Sequence, residues 1–344
     1  MNIIKKISVL IIALALIFPL ASCGTGKTEE SSGVSESGAE PEIKLYEYTV
    51  ENGGALITLC RLLATHLEVP SELDGIPVTG IADGVFKGIT NMESAVIPEG
   101  ITYIGASAFE GCESLEKVTL PSTLKAIGER AFKDTPWFAS LTDTFVVVGD
   151  GVGIKYSGSE QDVIVPENIK YLSDAFTLCD NVISVTVSEG VEAIGPRAFS
   201  GIKTLESVKI PSSVKSIGDS AFTFCLSLKE LEIPENVTEL GEFLFSRCSA
   251  LEKVTINAKT DTLKMGTFAN CTALKDVVLP ETLTTMENAV FENCPALGSV
   301  NLPASLTSIS PGAFDDGTGV TATVESGSYA ESFCAEKSIA TATK

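Results

Sequence analysis

The apolar residues of this chain recur with one period over most of its length. Phenylalanine returns every 23 residues apart from one step of 44. It stands at Phe86, Phe109, Phe132, Phe176, Phe199, Phe222, Phe245, Phe268, Phe291 and Phe314. Self-similarity of this kind predicts a repeat array, in which each unit packs on its neighbours and no single central core is needed.

One repeat unit, from Cys112 to Phe132, shows what each period builds. The alternation that ends in Val118 and Leu120 predicts a short strand, and Pro121 ends it because proline has no backbone N–H to donate. A glycine, Gly128 in this unit, follows the second apolar cluster, where a backbone bend is expected. About ten such coils, stacked with their strands paired, would bury a continuous core in a mainly β solenoid.

The unit resembles the BspA-like family of bacterial leucine-rich repeats, whose pattern is C-x-x-L-x-x-V-x-I-P-x-x-V-x-x-I-G-x-x-A-F. The resemblance covers roughly residues 69 to 317. It implies a right-handed leucine-rich-repeat solenoid with terminal caps, and a surface protein that acts in protein–protein contact or adhesion. Ser188 and Asn257 depart from the pattern at the proline position, where we expect a local change of turn without loss of the coil.

The segments that flank the array are expected to cover its apolar ends. We predict an N-terminal cap and opening module over residues 45–80, repeats over 81–317 and a C-terminal cap over 318–344. In the first cap, Tyr46 to Val50 and Ala55 to Leu59 suit a β-hairpin. In the second, Val320 to Val324 suits a strand, followed by a helix from about Tyr329 to Lys337.

The N-terminus predicts export and lipid attachment. Residues 1–22 form a lipoprotein signal peptide, with Lys5 and Lys6 before an apolar stretch too short for a membrane span. Leu20-Ala21-Ser22-Cys23 resembles a bacterial lipobox, which makes Cys23 the predicted acylation site. Residues 23–44 are rich in Gly, Ser, Glu and Thr and predict a flexible linker. We therefore expect a protein anchored to the extracytoplasmic face of the cell membrane through lipid alone.

The single irregular interval suggests an insert at residues 133–165. Two β-rich runs, Phe145 to Val148 and Val152 to Tyr156, join through Gly149-Asp150-Gly151 and predict a hairpin. Trp137, the one tryptophan, suits either a packed aromatic residue or an exposed binding anchor.

Six of the nine cysteines lie three residues after a repeat phenylalanine, a position that isoleucine fills in other units. A slot that accepts isoleucine suits a small buried apolar group, and a free thiol meets that need. A disulfide between adjacent coils is the alternative in an exported protein. The six are Cys112, Cys179, Cys225, Cys248, Cys271 and Cys294.

The sequence offers little for catalysis or nucleic-acid binding. The single histidine, His66, lies in the predicted cap, and one histidine outside the array supplies no Ser-His-Asp or Cys-His system along it. We predict no enzyme, no cofactor and no metal site. The formal charge of −21 opposes binding to nucleic acid.

A partner surface is predicted on the outward positions of the strands, which carry small, polar and mixed-charge residues. The expected partner is an extracellular protein, on a host or a neighbouring cell. A structural role in the cell envelope and capture of an extracellular glycan or peptide stay open as alternatives. The candidate binding residues are Lys117, Thr119, Lys209, Glu232 and Thr255, together with Trp137.

Overall fold

The computed structural model describes residues 7–8, 45–176, 179–315 and 319–343. It is a β-solenoid of about 12 turns with little helix, which confirms the fold predicted from the 23-residue period. Two ladders of mostly parallel strands run along the stack of coils. In most coils the turn after the second ladder carries an aromatic ring.

The first ladder contains the strands that end at the proline position. Its strands form four successive groups of three. Within each group they pair in parallel and in register, so that Glu230 stands opposite Lys253, and Lys253 opposite Asp276. Each coil thereby places equivalent residues side by side. The strands are His66–Glu68, Ser94–Val96, Lys117–Thr119, Asp162–Ile164, Ser184–Thr186, Ser207–Lys209, Glu230–Ile233, Lys253–Ile256, Asp276–Val278, Ser299–Asn301, Thr321–Val324 and Ala340–Thr343.

The second ladder uses strands of two residues in most coils. The second residue of each of these two-residue strands is buried in the core, as Ile104, Ile217 and Leu240 show. A Cβ on Gly218, just after this ladder, would lie 2.5 Å from the Pro196 nitrogen, so glycine permits the close approach of coils. The strands are Gly54–Cys60, Ile76–Ile81, Tyr103–Ile104, Ala126–Ile127, Val152–Tyr156, Tyr171–Leu172, Ala193–Ile194, Ser216–Ile217, Glu239–Leu240, Thr262–Leu263, Thr285–Met286 and Ser308–Ile309.

The repeat phenylalanines stack into an aromatic column. Within each stretch of 23-residue spacing, neighbouring ring centroids are 4.9 to 5.5 Å apart. Tyr156 continues the column toward Phe176 at 5.2 Å. Its N–H donates to the carbonyl of Ala175, as Phe199 donates to Ala221. Tyr156 therefore occupies the corner that the 44-residue step leaves without phenylalanine, and adds a coil to those counted from phenylalanine.

The insert at residues 133–165 is a packed junction in the array. The predicted hairpin forms from Phe145–Val148 and Val152–Tyr156. A short helix, Pro136–Ser140, was not predicted; the Thr135 hydroxyl caps it by accepting a hydrogen bond from the Phe138 N–H. One buried apolar cluster extends to Ile154 and a second begins at Tyr156. The Ser173 hydroxyl connects the two sides by donating to the Ile127 carbonyl at 2.8 Å.

Both caps contain the predicted elements. The first is the antiparallel hairpin of Tyr46–Glu51 with Gly54–Cys60, followed by Glu72–Leu73, which pairs with Ile76–Ile81. The C-terminal cap has the strand Thr321–Val324 and the helix Tyr329–Glu336. It also has the strand Ala340–Thr343, which was not predicted and extends the first ladder.

The predicted signal peptide, the acylation site Cys23 and the linker lie outside the described residues, apart from the strand Ile7–Ser8. That strand pairs antiparallel with Tyr46–Glu51. Among the described residues, no helix has the length and apolar character needed to cross a membrane.

Candidate functional site

The outward side chains of the first ladder form two aligned rows. In-register pairing sets Lys209 beside Thr186, and Glu232 beside Thr255. The side chains between them, such as Leu231 and Val254, point into the core. Residues 23 positions apart in sequence thus become neighbours on one surface.

Three of the predicted binding residues meet on this surface. Lys209, Glu232 and Thr255 line one shallow depression with a volume of about 480 Å³. A second depression of about 660 Å³ continues from it and shares Glu232 and Pro234. Together they make a groove along successive coils of the first ladder, which we call the ladder groove.

Lys117 and Thr119 lie on the same ladder but before the insert. Both are exposed, on the strand Lys117–Thr119. The strand Asp162–Ile164 begins the stretch of ladder after the insert, and Ile164 is 69% exposed. Sequence reasoning missed Ile164 because it assigned this strand to the insert, although its Asp-Val-Ile-Val-Pro letters match the strand pattern of a repeat.

The charges in and beside the ladder groove balance each other locally. Asn257 donates to the Glu232 carboxylate at 2.8 Å, and Lys253 Nζ lies 3.8 Å from Asp276 Oδ2. At the edge of the ladder, Lys229 pairs with Glu206 and Lys275 with Glu252. Such exposed pairs add little to stability, about 0 to 1 kcal/mol each. They do fix a pattern of alternating charge that a partner could match.

Trp137 packs against the core of the junction. Its ring meets Phe132 edge to face, with centroids 4.7 Å apart, and its backbone N–H donates to the Leu115 carbonyl. The side chain is half-buried. The geometry fits the packing interpretation, since the ring ends the first stretch of the aromatic column; a binding role for Trp137 stays a prediction.

The repeat cysteines line the interior as free thiols. All eight described cysteines are unpaired. The Sγ atoms of Cys225, Cys248 and Cys271 each lie 3.0 to 3.2 Å from the carbonyl of the phenylalanine one coil earlier. Burial raises the pKa of Cys248 and Cys271, and raises that of Cys294 to about 12. The reactive thiolate form is therefore disfavoured in this column.

In the part of the chain that the structure describes, one carboxylate is buried, that of Glu110, and sequence reasoning did not find it. It pairs with Lys87 at 2.8 Å and with Arg130. Burial by itself would raise the pKa of Glu110, but hydrogen bonds from Lys87, Ser107 and Arg130 lower it to about 2. The three charges join successive coils, so this cluster is a structural feature of the array.

The single histidine does not lie apart from the array. His66 stands in the first strand of the first ladder, exposed, with Nδ1 3.0 Å from the Ser94 hydroxyl. Among the described residues no carboxylate contacts its ring, so the pair lacks the third group of a catalytic triad. The described residues also contain no cluster of three or more groups suited to hold a metal ion.

Solenoid coils of this sequence pattern, with an exposed parallel ladder, define a leucine-rich-repeat scaffold. The chain matches the BspA type leucine rich repeat region in six copies, over residues 79–204, 153–225 and 192–321. It therefore belongs to the BspA type leucine-rich repeat family, a family of repeat scaffolds whose members are usually protein-interaction or surface proteins. No curated protein matches the chain.

Several solved structures have a similar fold. A leucine-rich repeat protein from Bacteroides ovatus is 20% identical, with 87% of this chain and 97% of that chain covered and a TM-score of 0.39. A leucine rich cell surface protein from Faecalibacterium prausnitzii is 22% identical, with 87% and 93% covered and a TM-score of 0.30. The pneumococcal vaccine antigen PcpA is 16% identical, with 87% and 97% covered and a TM-score of 0.38.

Proposed function

We propose that this protein is a lipid-anchored leucine-rich-repeat protein of the extracytoplasmic face of the cell membrane, where it binds an extracellular protein through the ladder groove. The observation that supports the groove is the convergence of Lys209, Glu232 and Thr255 in one depression, in which Glu232 and Thr255 stand opposite each other on paired strands. A rigid surface loses little conformational freedom on binding. The partner belongs to a host or to a neighbouring cell.

The test is binding of the purified protein to a panel of extracellular matrix proteins and bacterial surface proteins. Lys209→Glu and Glu232→Lys should each weaken the interaction at least tenfold, because both charges line the groove. Lys215→Glu is the matched control, since Lys215 is exposed just before the second ladder and pairs with Glu192. A panel without binding, or binding that these groove variants leave unchanged, would contradict the proposal.

The lipid anchor is supported by the sequence alone. Lys5 and Lys6, the apolar stretch from Ile7 to Ala21 and the adjacent Cys23 fit signal cleavage and acylation at that cysteine. Mass spectrometry of the N-terminal peptide from a bacterial membrane fraction should show a diacylglycerol thioether on Cys23 and an additional fatty acyl chain. The Cys23→Ala variant should yield no acylated peptide and should lose stable membrane association, since a protein with one acyl chain or none binds a bilayer weakly. An unmodified Cys23 in the membrane fraction would refute the anchor.

A further inference from the structure

The corner of each coil imposes an unusual backbone conformation at two fixed positions. Residues two places before and two places after the buried phenylalanine adopt positive φ in most coils, the left-handed region that suits glycine and small polar residues. Before the ring these residues are Gly84, Ser107, Arg130, Arg197, Ser220, Gly266 and Ala289. After the ring they are Gly88, Gly111, Asp134, Gly201, Arg247, Asn270 and Asn293.

Two phenylalanines occupy these positions on adjacent coils. Phe224 follows its buried ring by two residues with φ of 62°, and Phe243 precedes the next ring by two with φ of 52°. A bulky side chain is disfavoured in this conformation. Burial compensates only in part, because Phe224 is 41% and Phe243 37% exposed. Strained, exposed aromatic residues point to a role other than stability.

Two pairs of residues flank the corner, Phe224 with Arg247 after the buried ring and Phe243 with Met265 before it, and we call these four residues the corner patch. The Phe243 ring lies where a Cβ on Gly266 would stand, and it is 37% exposed. The Arg247 guanidinium lies 5.0 Å from the centre of the Phe224 ring. Met265, on the next coil, is 36% exposed, and its carbonyl accepts the Phe243 N–H. Phenylalanine, methionine and arginine are the residues that protein interfaces favour at their centre.

The charges around the corner patch are arranged on opposite flanks. Glu242 stands beside Phe243, before the buried ring, whereas Arg247 follows that ring. The backbone N–H of Arg247 donates to the Ala269 carbonyl, and its guanidinium stacks on Phe224. A guanidinium stacked on an aromatic ring keeps its N–H groups available for a carboxylate. The patch therefore presents a cation and a carboxylate at one coil level, on either side of the corner.

We propose that the corner patch binds the same patch on a second copy of this chain. A two-fold axis parallel to the stack of coils exchanges the two flanks and keeps the coil level. It sets Phe243 and Glu242 of one copy against Arg247 of the other, and repeats the contact by symmetry. Each copy then provides a partly exposed aromatic ring and a carboxylate for the guanidinium of the other copy.

The dimer formed in this way is weak. The patch spans three coils, and it buries less than the roughly 1,200 Å² of a stable interface. The formal charge of −21 on each copy opposes association further. Association is therefore concentration-dependent, and tethering to a membrane, which raises the effective concentration, favours it.

The test is light scattering of the full-length protein in a mild detergent over about a hundredfold range of concentration, down to the micromolar level. We expect the mass to rise from monomer toward dimer. Phe243→Gly should abolish this rise while the thermal unfolding midpoint stays close to the original, because relief of the left-handed strain offsets the lost ring contacts. Ala289→Gly, at the same corner position two coils away, is the matched control and should dimerise normally.

Charge reversal tests the pairing itself. Arg247→Glu should lower the association constant at least tenfold, Glu242→Arg should do the same, and the double variant should recover association because the opposed charges are exchanged together. Lys203→Glu, an equal change in charge on another exposed position, should leave the dimer intact. A protein that is monomeric at every concentration, a dimer that persists in Phe243→Gly, or a double variant that fails to recover would overturn the proposal.

Discussion

Replacing a phenylalanine of the aromatic column by alanine should lower the free energy of unfolding more inside the column than at its end. Phe222 is fully buried between Phe199 at 5.3 Å and Phe245 at 5.5 Å. Phe314 is 6% exposed and stacks on Phe291 alone, at 5.2 Å. Replacing a buried phenylalanine by alanine costs about 3 to 5 kcal/mol, and each aromatic contact contributes about 0.5 to 1.5 kcal/mol of this. We expect Phe222→Ala to exceed Phe314→Ala by about 1 kcal/mol, the value of the second contact.

Urea unfolding of the full-length protein can measure this difference with two probes. Far-ultraviolet circular dichroism follows the whole array, whereas fluorescence of Trp137, the one tryptophan, follows the part before Tyr156. Because coils interact chiefly with their neighbours, Phe222→Ala should lower the midpoint seen by circular dichroism more than the midpoint seen by Trp137. Equal costs at Phe222 and Phe314 would refute the argument, since they would mean that the second stacked ring adds nothing.

Three further predictions concern the thiols, the buried carboxylate of Glu110 and the glycine that follows the second ladder. In the native protein Cys225, Cys248 and Cys271 should resist a thiol reagent, and all six repeat cysteines should react in denaturant; a count below six would reveal a disulfide. Because the pKa of Glu110 falls from its ordinary 4.5 to about 2 on folding, its contribution to stability is present above pH 4.5 and is lost as the pH falls toward 2. The difference in unfolding free energy between the native protein and Glu110→Gln should shrink over that interval, and a constant difference would contradict the assignment. Gly218→Ala should destabilise the protein by about 1 to 3 kcal/mol in the same urea assay, because the new Cβ meets the backbone of the preceding coil, whereas Gly298→Ala, with open space around it, should cost less than about 1 kcal/mol.

The sequence predicted the coils because their apolar pattern and their packing have one period. The same 23-residue spacing that places Leu228 and Leu231 in the core also sets the register of the first ladder, so the outward residues Lys209 and Glu232 could be chosen before the structure was known. Their convergence in one depression could not be predicted, because it depends on how neighbouring coils align. In the insert, Tyr156 replaces phenylalanine at a corner, which hides one coil from a pattern based on phenylalanine. The helix Pro136–Ser140 is too short to show helical periodicity; a threonine cap followed by proline at the first helical position was its one signal.

The corner positions show a limit of a different kind. Their backbone has positive φ, yet glycine, serine, asparagine, arginine and alanine all occupy them, so no apolar or polar pattern reveals the conformation. Phe224 and Phe243 would pass in the sequence as additional core residues, because phenylalanine is the residue that marks the core in most coils. Their conformation and exposure separate them from the column that they flank. In a repeat array, exposed aromatic residues at positions of positive φ are therefore candidates for function, since core packing does not account for them.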